Sequence, residues 1–159
     1  MSNSAVNPMI KGPLAANAEK VLLPVAAAQT YKKGQCFILT SGQATLCADG
    51  DIPDGQFMTT VDTAVAANTR VKCLRWRVGT RLEMYVASGG SSSAITSANI
   101  GIAYDLQIIS NVFYLDIGAT TDKVFKVLDV ASHYDTSGRS LAADDPGRCI
   151  VEVMKVSNG

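Results

Sequence analysis

The chain has 159 residues, 47% of them hydrophobic and 18% charged, with 14 basic side chains against 14 acidic ones. Such a composition suits one compact domain with a real core, roughly 70% of the extended surface being buried on folding. The zero formal charge leaves no global attraction to nucleic acid or an acidic membrane, and no apolar run reaches the roughly 18 residues of a helical membrane span.

Residues 1–20 read as an extended N-terminal arm ahead of a single β domain over 21–159. The arm carries Pro8, Gly12, Pro13 and three Asn, and has no apolar period before Val21. A short helical turn over Leu14–Lys20 is compatible with its alanines but too brief to stand alone. The opening residues also lack the basic-then-apolar pattern of a secretory signal.

From Val21 onward the period is that of strands. Val21–Val25 ends near Pro24, which suits an edge. Cys36–Thr40 and Gln43–Ala48 flank Ser41–Gly42, a two-residue hairpin turn. Asp49–Gly55 is a turn or loop, followed by strands over Gln56–Asp62 and Arg70–Val78 with a bend at Thr63–Thr69. In the latter strand Leu74, Trp76 and Val78 share one face, read as core, and Cys73, Arg75 and Arg77 the other. Gly79–Thr80 turns into Arg81–Ala87, and the arginines of this expected hairpin are placed to pair with Glu83 across it. Gly89–Ser93 is a loop tip.

Ile100–Ile109 and Val112–Ile117 form a second hairpin through Ser110–Asn111. Ile100, Ile102, Tyr104, Leu106 and Ile108 lie on its apolar face, opposite Ala103, Asp105 and Gln107. Ala119–Asp122 is a turn. Val124–Val130 and Cys149–Val156 are apolar on both faces, as central or covered strands are. Between them Ala131–Gly147 is a long polar connection, a length common in functional or disordered loops. No helical period persists for ten residues. Eight or nine mostly antiparallel strands therefore predict an all-β domain, a small antiparallel β-barrel or β-sandwich.

Few residues offer chemistry. Cys36, Cys47, Cys73 and Cys149 form no CxxC pair, and read as small buried hydrophobes, with a Cys36–Cys47 bridge as the alternative. His133, the one histidine, lies beside Ser132, Tyr134 and Asp135, too close in sequence for a Ser-His-Asp relay, and no GxSxG elbow accompanies it. Asp49, Asp51 and Asp54 superficially resemble a calcium loop, but Pro53 and Thr60 stand where ligands belong. Asp144 and Asp145 could join His133 and Asp135 in a surface metal site; turn chemistry accounts for both stretches more simply. Phosphate-binding glycine motifs are absent.

The strongest charge feature is Thr63–Leu82, which holds Arg70, Lys72, Arg75, Arg77 and Arg81 without an acid. A single-stranded nucleic-acid groove needs an exposed aromatic among such cations, and Trp76 falls on the core face. A contact with another protein subunit or a plain solvated surface are the readings left.

Thr30-Tyr-Lys-Lys-Gly34-Gln-Cys-Phe-Ile-Leu-Thr-Ser-Gly42, followed by an Ala/Asp stretch and Asp54-Gly55, resembles the opening of the small decoration (cement) proteins of tailed-bacteriophage heads. Ile100-Gly-Ile-Ala-Tyr104-Asp-Leu and Asn111-Val-Phe-Tyr-Leu-Asp116 are similar to their second hairpin, and Phe125–Val130 and Arg148–Val153 to their closing strands. The arginine-rich Lys72–Arg81 departs from the pattern. The resemblance implies a non-catalytic protein without cofactor or metal, often trimeric, bound to the major capsid protein on the outer surface of the virion and strengthening contacts between capsid subunits. Candidate contacts are then Pro8, Ile10 and Leu14 of the arm, the cations of the 70–81 segment, and His133 and Tyr134 of the long loop. The alternatives are a virion-exposed or extracellular module for carbohydrate or protein, using tyrosines such as Tyr85 or Tyr134, and another head or tail subunit.

Overall fold

The computed structural model describes residues 9–10, 18–130 and 147–158. Its first strand, β1 (Met9–Ile10), joins elements far along the chain. The next five, β2 (Glu19–Pro24), β3 (Cys36–Thr40), β4 (Gln43–Leu46), β5 (Gly55–Phe57) and β6 (Arg70–Arg75), form one sheet in the order β2-β6-β5-β3-β4. A parallel bridge from Val25 to Ala44 draws the two ends of this sheet together. The remaining strands are β7 (Arg81–Ser88), β8 (Ser91–Ser92), β9 (Ala103–Ile109), β10 (Val112–Asp116), β11 (Phe125–Val130) and β12 (Arg148–Val153). Here β7-β10-β9-β11-β12 returns to β7 through the β12–β7 ladder, so five strands close into a barrel. The chain adopts the all-β class expected from the strand pattern, as a closed barrel joined to a second sheet, with β7 and β10 paired parallel where antiparallel neighbours were expected.

Two-residue alternation fills the barrel. Leu82, Met84 and Val86 of β7, Phe113 and Leu115 of β10, and Cys149, Val151 and Val153 of β12 are all buried in one apolar cluster. Closure leaves these five strands without two open edges, which is the main liability of a β-sheet. The curled sheet has its own smaller core, in which Tyr31 stacks on Phe57 at 3.8 Å and Phe37 tilts against the same ring at 5.5 Å. Trp76 and the thiols of Cys36 and Cys47 leave that sheet on the barrel side and join the barrel cluster, with Trp76 edge-on to Phe125. The two units therefore share one apolar seam.

Both short hairpins form as expected. Ser41 and Gly42 have φ of 51° and 79°, and Ser110 and Asn111 have 49° and 64°. These paired left-handed conformations match the twist of the flanking strands. Pro24 does sit in an edge strand, and β11 and β12 are central.

Other expectations change. The 70–88 hairpin does not exist: β6 pairs with β2 and β5, whereas β7 pairs with β12, β10 and β1. Both strands have their edges filled by other partners, and Gly79–Thr80 instead carries the chain from sheet to barrel. Val78, read as core, stands 60% exposed because β6 ends at Arg75. Ile100 and Ile102 are also exposed, lying before β9 at a short 3-10 turn over Ser97–Asn99. The strand expected over 56–62 stops at Phe57, with only Val61 bridging back to Tyr31. Chain order thus misled wherever strands far apart in sequence competed for one edge. Residues 131–146, which hold His133, Tyr134, Asp135, Asp144 and Asp145, lie outside the described residues, as do Pro8 and Leu14.

Candidate protein-docking face

The expected basic segment divides among three places. Arg70 and Lys72 are exposed on the outer face of β6. Arg75 ends that strand and donates from Nη2 to the Asn158 carbonyl at 2.9 Å. Arg77 lies beyond it, 3.6 Å from Glu19, both side chains being largely solvated, so this ion pair contributes little. Arg81 belongs to β7 in the barrel wall, opposite Glu152. One continuous five-cation patch is therefore not what the fold builds. Of the arm contacts, Ile10 is placed by its backbone opposite Leu82.

What the fold does build is a face around β2 and β6. Lys20, Leu22 and Pro24 lie opposite Leu74, Lys72 and Arg70. Residues directly opposed in an antiparallel pair share a face, so Lys20, Lys72 and Arg70 surround Leu22, whose side chain is 56% exposed. Among the described residues no carboxylate pairs with these three cations. Lys20 and Leu22 escaped the sequence reading; the alternation Lys20, Leu22, Pro24 against Val21, Leu23 was their available signal. Only the register of β2 on β6 joins them to Arg70 and Lys72.

The backbone of β2 adds a second property. Val25 N–H donates to the Thr69 carbonyl at 3.0 Å, which makes 25/69, and hence 23/71 and 21/73, the hydrogen-bonded pairs of the ladder. Lys20 and Leu22 then direct their N–H and C=O groups away from β6. Arg70 Nη1 reaches round to the Leu22 carbonyl at 3.3 Å. Among the described residues no strand covers this edge between Glu19 and Leu23.

Beyond the end of β6 lies an open groove of about 270 Å³, lined by Glu19, Arg75, Trp76, Arg77, Val78 and Val156. Trp76 itself is buried and donates from Nε1 to Gln56 Oε1 at 3.1 Å. Its ring is committed to the core and offers no stacking platform of the kind single-stranded nucleic acid uses.

Of the carboxylates expected to make turns, Asp51 does so, Asp49 and Asp54 accept from donors far along the chain, and Asp144 and Asp145 lie outside the described residues. Asp51 accepts from Ala48 N–H and Asp49 from Ile108 N–H, each at 2.8 Å, the latter linking sheet to barrel. Asp54, almost fully buried, accepts from Leu39 N–H at 2.8 Å and from the Asn158 backbone and side-chain N–H groups at 2.6 and 2.9 Å. Asp105, expected opposite the apolar face, is buried and accepts from the N–H groups of Thr121, Asp122 and Lys123. No group of three metal-ligating side chains occurs among the described residues.

All four cysteines are free and buried, as expected of small hydrophobes. Cys36 and Cys47 face each other across the β3–β4 hairpin, where Cys47 N–H donates to the Cys36 carbonyl at 3.0 Å. Burial first, then the neighbouring Cys47, pushes the Cys36 thiol well up; burial likewise raises Cys47, and takes Cys149 to about 12. Such thiols stay protonated and inert.

Set against known protein families, curated proteins and solved structures, the chain matches none.

Proposed function

We propose that this chain is a non-catalytic structural subunit that docks on a protein lattice and strengthens it. The observation that carries the proposal is a cationic face around an exposed leucine, with no carboxylate paired to it among the described residues, mounted on a curled sheet that shares an apolar seam with the barrel. A solvent-exposed leucine ringed by cations that pair with no carboxylate among the described residues is a contact surface for a partner that supplies carboxylates and an apolar group. Among the described residues Asp49, Asp54 and Asp105 are committed to backbone N–H groups of the scaffold, which supports a mechanical role. The resemblance to head-decoration proteins gives the lattice its identity in this proposal, the major capsid protein on the outer surface of a virion. A homo-oligomer, trimeric by the same resemblance, would present the face several times over, so that modest contacts multiply.

Co-sedimentation with particles purified from the lysate in which the protein is made tests this. Wild type should pellet with the particles at low salt and be released as salt rises. The double variant Arg70→Glu, Lys72→Glu should bind at least about tenfold more weakly with unchanged circular dichroism. If wild type associates with no particle at any salt, the lattice reading falls. If the double variant pellets like wild type, the docking surface lies elsewhere.

A further inference from the structure

We infer that the exposed edge of β2 takes up an extended acidic segment of the partner as a sixth strand of the curled sheet. This deepens the docking proposal and rests on it for the face used. Three observations converge. The N–H and C=O groups of Lys20 and Leu22 point outward from an edge that no described strand covers. The Leu22 carbonyl accepts from Arg70 Nη1, which an incoming strand would displace, and the other three groups have no partner among the described residues. Open edge groups of this kind are the template for strand addition, in which main-chain hydrogen bonds supply affinity and alternate side chains supply specificity. The outer side chains beside that edge are Lys20, Leu22, Lys72 and Arg70, cations about an exposed apolar centre. On the inner side, Val21 and Leu23 are half-buried against the small core of the sheet.

The charges choose the occupant. A second copy adding its own β2 would set Lys20 and the β6 cations of one molecule against those of the other, and like charges facing across strands are destabilising. An acidic strand meets the opposite situation. The pleat then dictates its pattern: a carboxylate opposite Lys20, an apolar side chain opposite Leu22, and a carboxylate opposite Pro24, within reach of Arg70. The two intervening positions, opposite Val21 and Leu23, are apolar. The partner segment is therefore acidic, three apolar residues, acidic. Pro24 lacks an N–H, and Val25 is already bridged to Ala44, so the added strand ends there.

The probe is the peptide acetyl-Gly-Asp-Val-Leu-Val-Glu-Gly-amide, which presents this pattern in either strand direction. Fluorescence polarisation would follow its binding to the full chain, with hydrogen exchange read at the Lys20 and Leu22 amides. The expected results are saturable binding that weakens with salt, slowed exchange at both amides, and loss of about tenfold or more when alternate peptide amides are N-methylated in the productive alternation. Lys72→Glu should weaken binding similarly, and a peptide with both acids changed to lysine should not bind. Binding that tolerates N-methylation in both alternations and leaves the two amides unprotected overturns strand addition, while leaving a side-chain docking face intact. Slow exchange at both amides in the free monomer would mean that the edge is already covered, and a dimer protected at these amides would assign it to a second copy; either overturns the inference. Failure of the peptide together with salt-sensitive particle binding sinks only strand addition. Peptide binding without any particle association sinks only the lattice proposal.

Discussion

Asn158 holds a disproportionate share of the polar structure. It donates twice to Asp54 and once, from Nδ2 at 3.0 Å, to the Leu39 carbonyl, while its own carbonyl receives Arg75. Deleting the buried Asp54 carboxylate removes the acceptor shared by the half-buried Leu39 N–H and two N–H groups of the exposed Asn158, and hydrogen bonds to a charged group contribute about 1.5–3 kcal/mol each. Asp54→Ala should therefore lower unfolding stability by about 2–4 kcal/mol, measured by urea denaturation. Asn158→Ala should cost less alone and add little to Asp54→Ala, a coupling that a double-mutant cycle reads directly. Additive losses would show that the two act separately. Nothing in the sequence marks this network: Asp54 reads as one more loop aspartate, and Asn158 is separated from it by 104 positions.

The thiols set an alkaline limit. Their folded pKa values lie above the ordinary thiol value of 9.0, so the unfolded chain releases protons first as pH rises. Stability from Cys36, Cys47 and Cys149 is whole below pH 9 and falls above it, by about 1.4 kcal/mol per thiol for each pH unit. Urea midpoints should hold steady from pH 7 to 8.5 and drop steeply by pH 10.5. A Cys36→Ala, Cys149→Ala variant should drop less steeply than wild type.

At the scale of elements, close approach governs β5. A Cβ on Gly55 would run into the Leu74 carbonyl and come within 2.7 Å of the Phe37 ring, since β5 is wedged between β3 and β6. Gly55→Ala should cost about 1–3 kcal/mol by overpacking, seen as a lowered melting temperature and faster exchange in β3 and β6. A neutral effect would mean that β5 can shift outward. Strands with local partners were legible: β3–β4 and β9–β10 follow from their turn residues and alternation. Strands with remote partners were not, because pairing of β7 with β12 or of β2 with β6 leaves no local trace. The same limit hid the proposed docking face. Its cations were visible on 70–81, yet their grouping depended on register with a strand some fifty positions earlier, and Arg81 separated from them once β7 joined the barrel.

Across the whole molecule, β1 occupies the stretch of β7 at Leu82 and Glu83 that β10, paired at Val86 and Ala87, leaves free. Removing residues 2–12 should reopen that edge and promote association. Light scattering should show aggregation rising with concentration in the truncated protein and not in the full chain. A truncated protein that stays monodisperse would mean that the edge is guarded by its own side chains.

The Asn158 network also bears on the order in which contacts form during synthesis. Contacts that span 104 and 119 positions are among the last to form, because loop closure over such distances is slow. The curled sheet can be translated and largely collapsed while Asp54 still lacks its second partner. Only the emergence of Asn158 from the ribosome supplies it, so a nascent chain arrested a few codons earlier would present protease with a sheet whose buried carboxylate is half satisfied. The curled sheet thereby waits on a residue translated 104 positions after the carboxylate it completes.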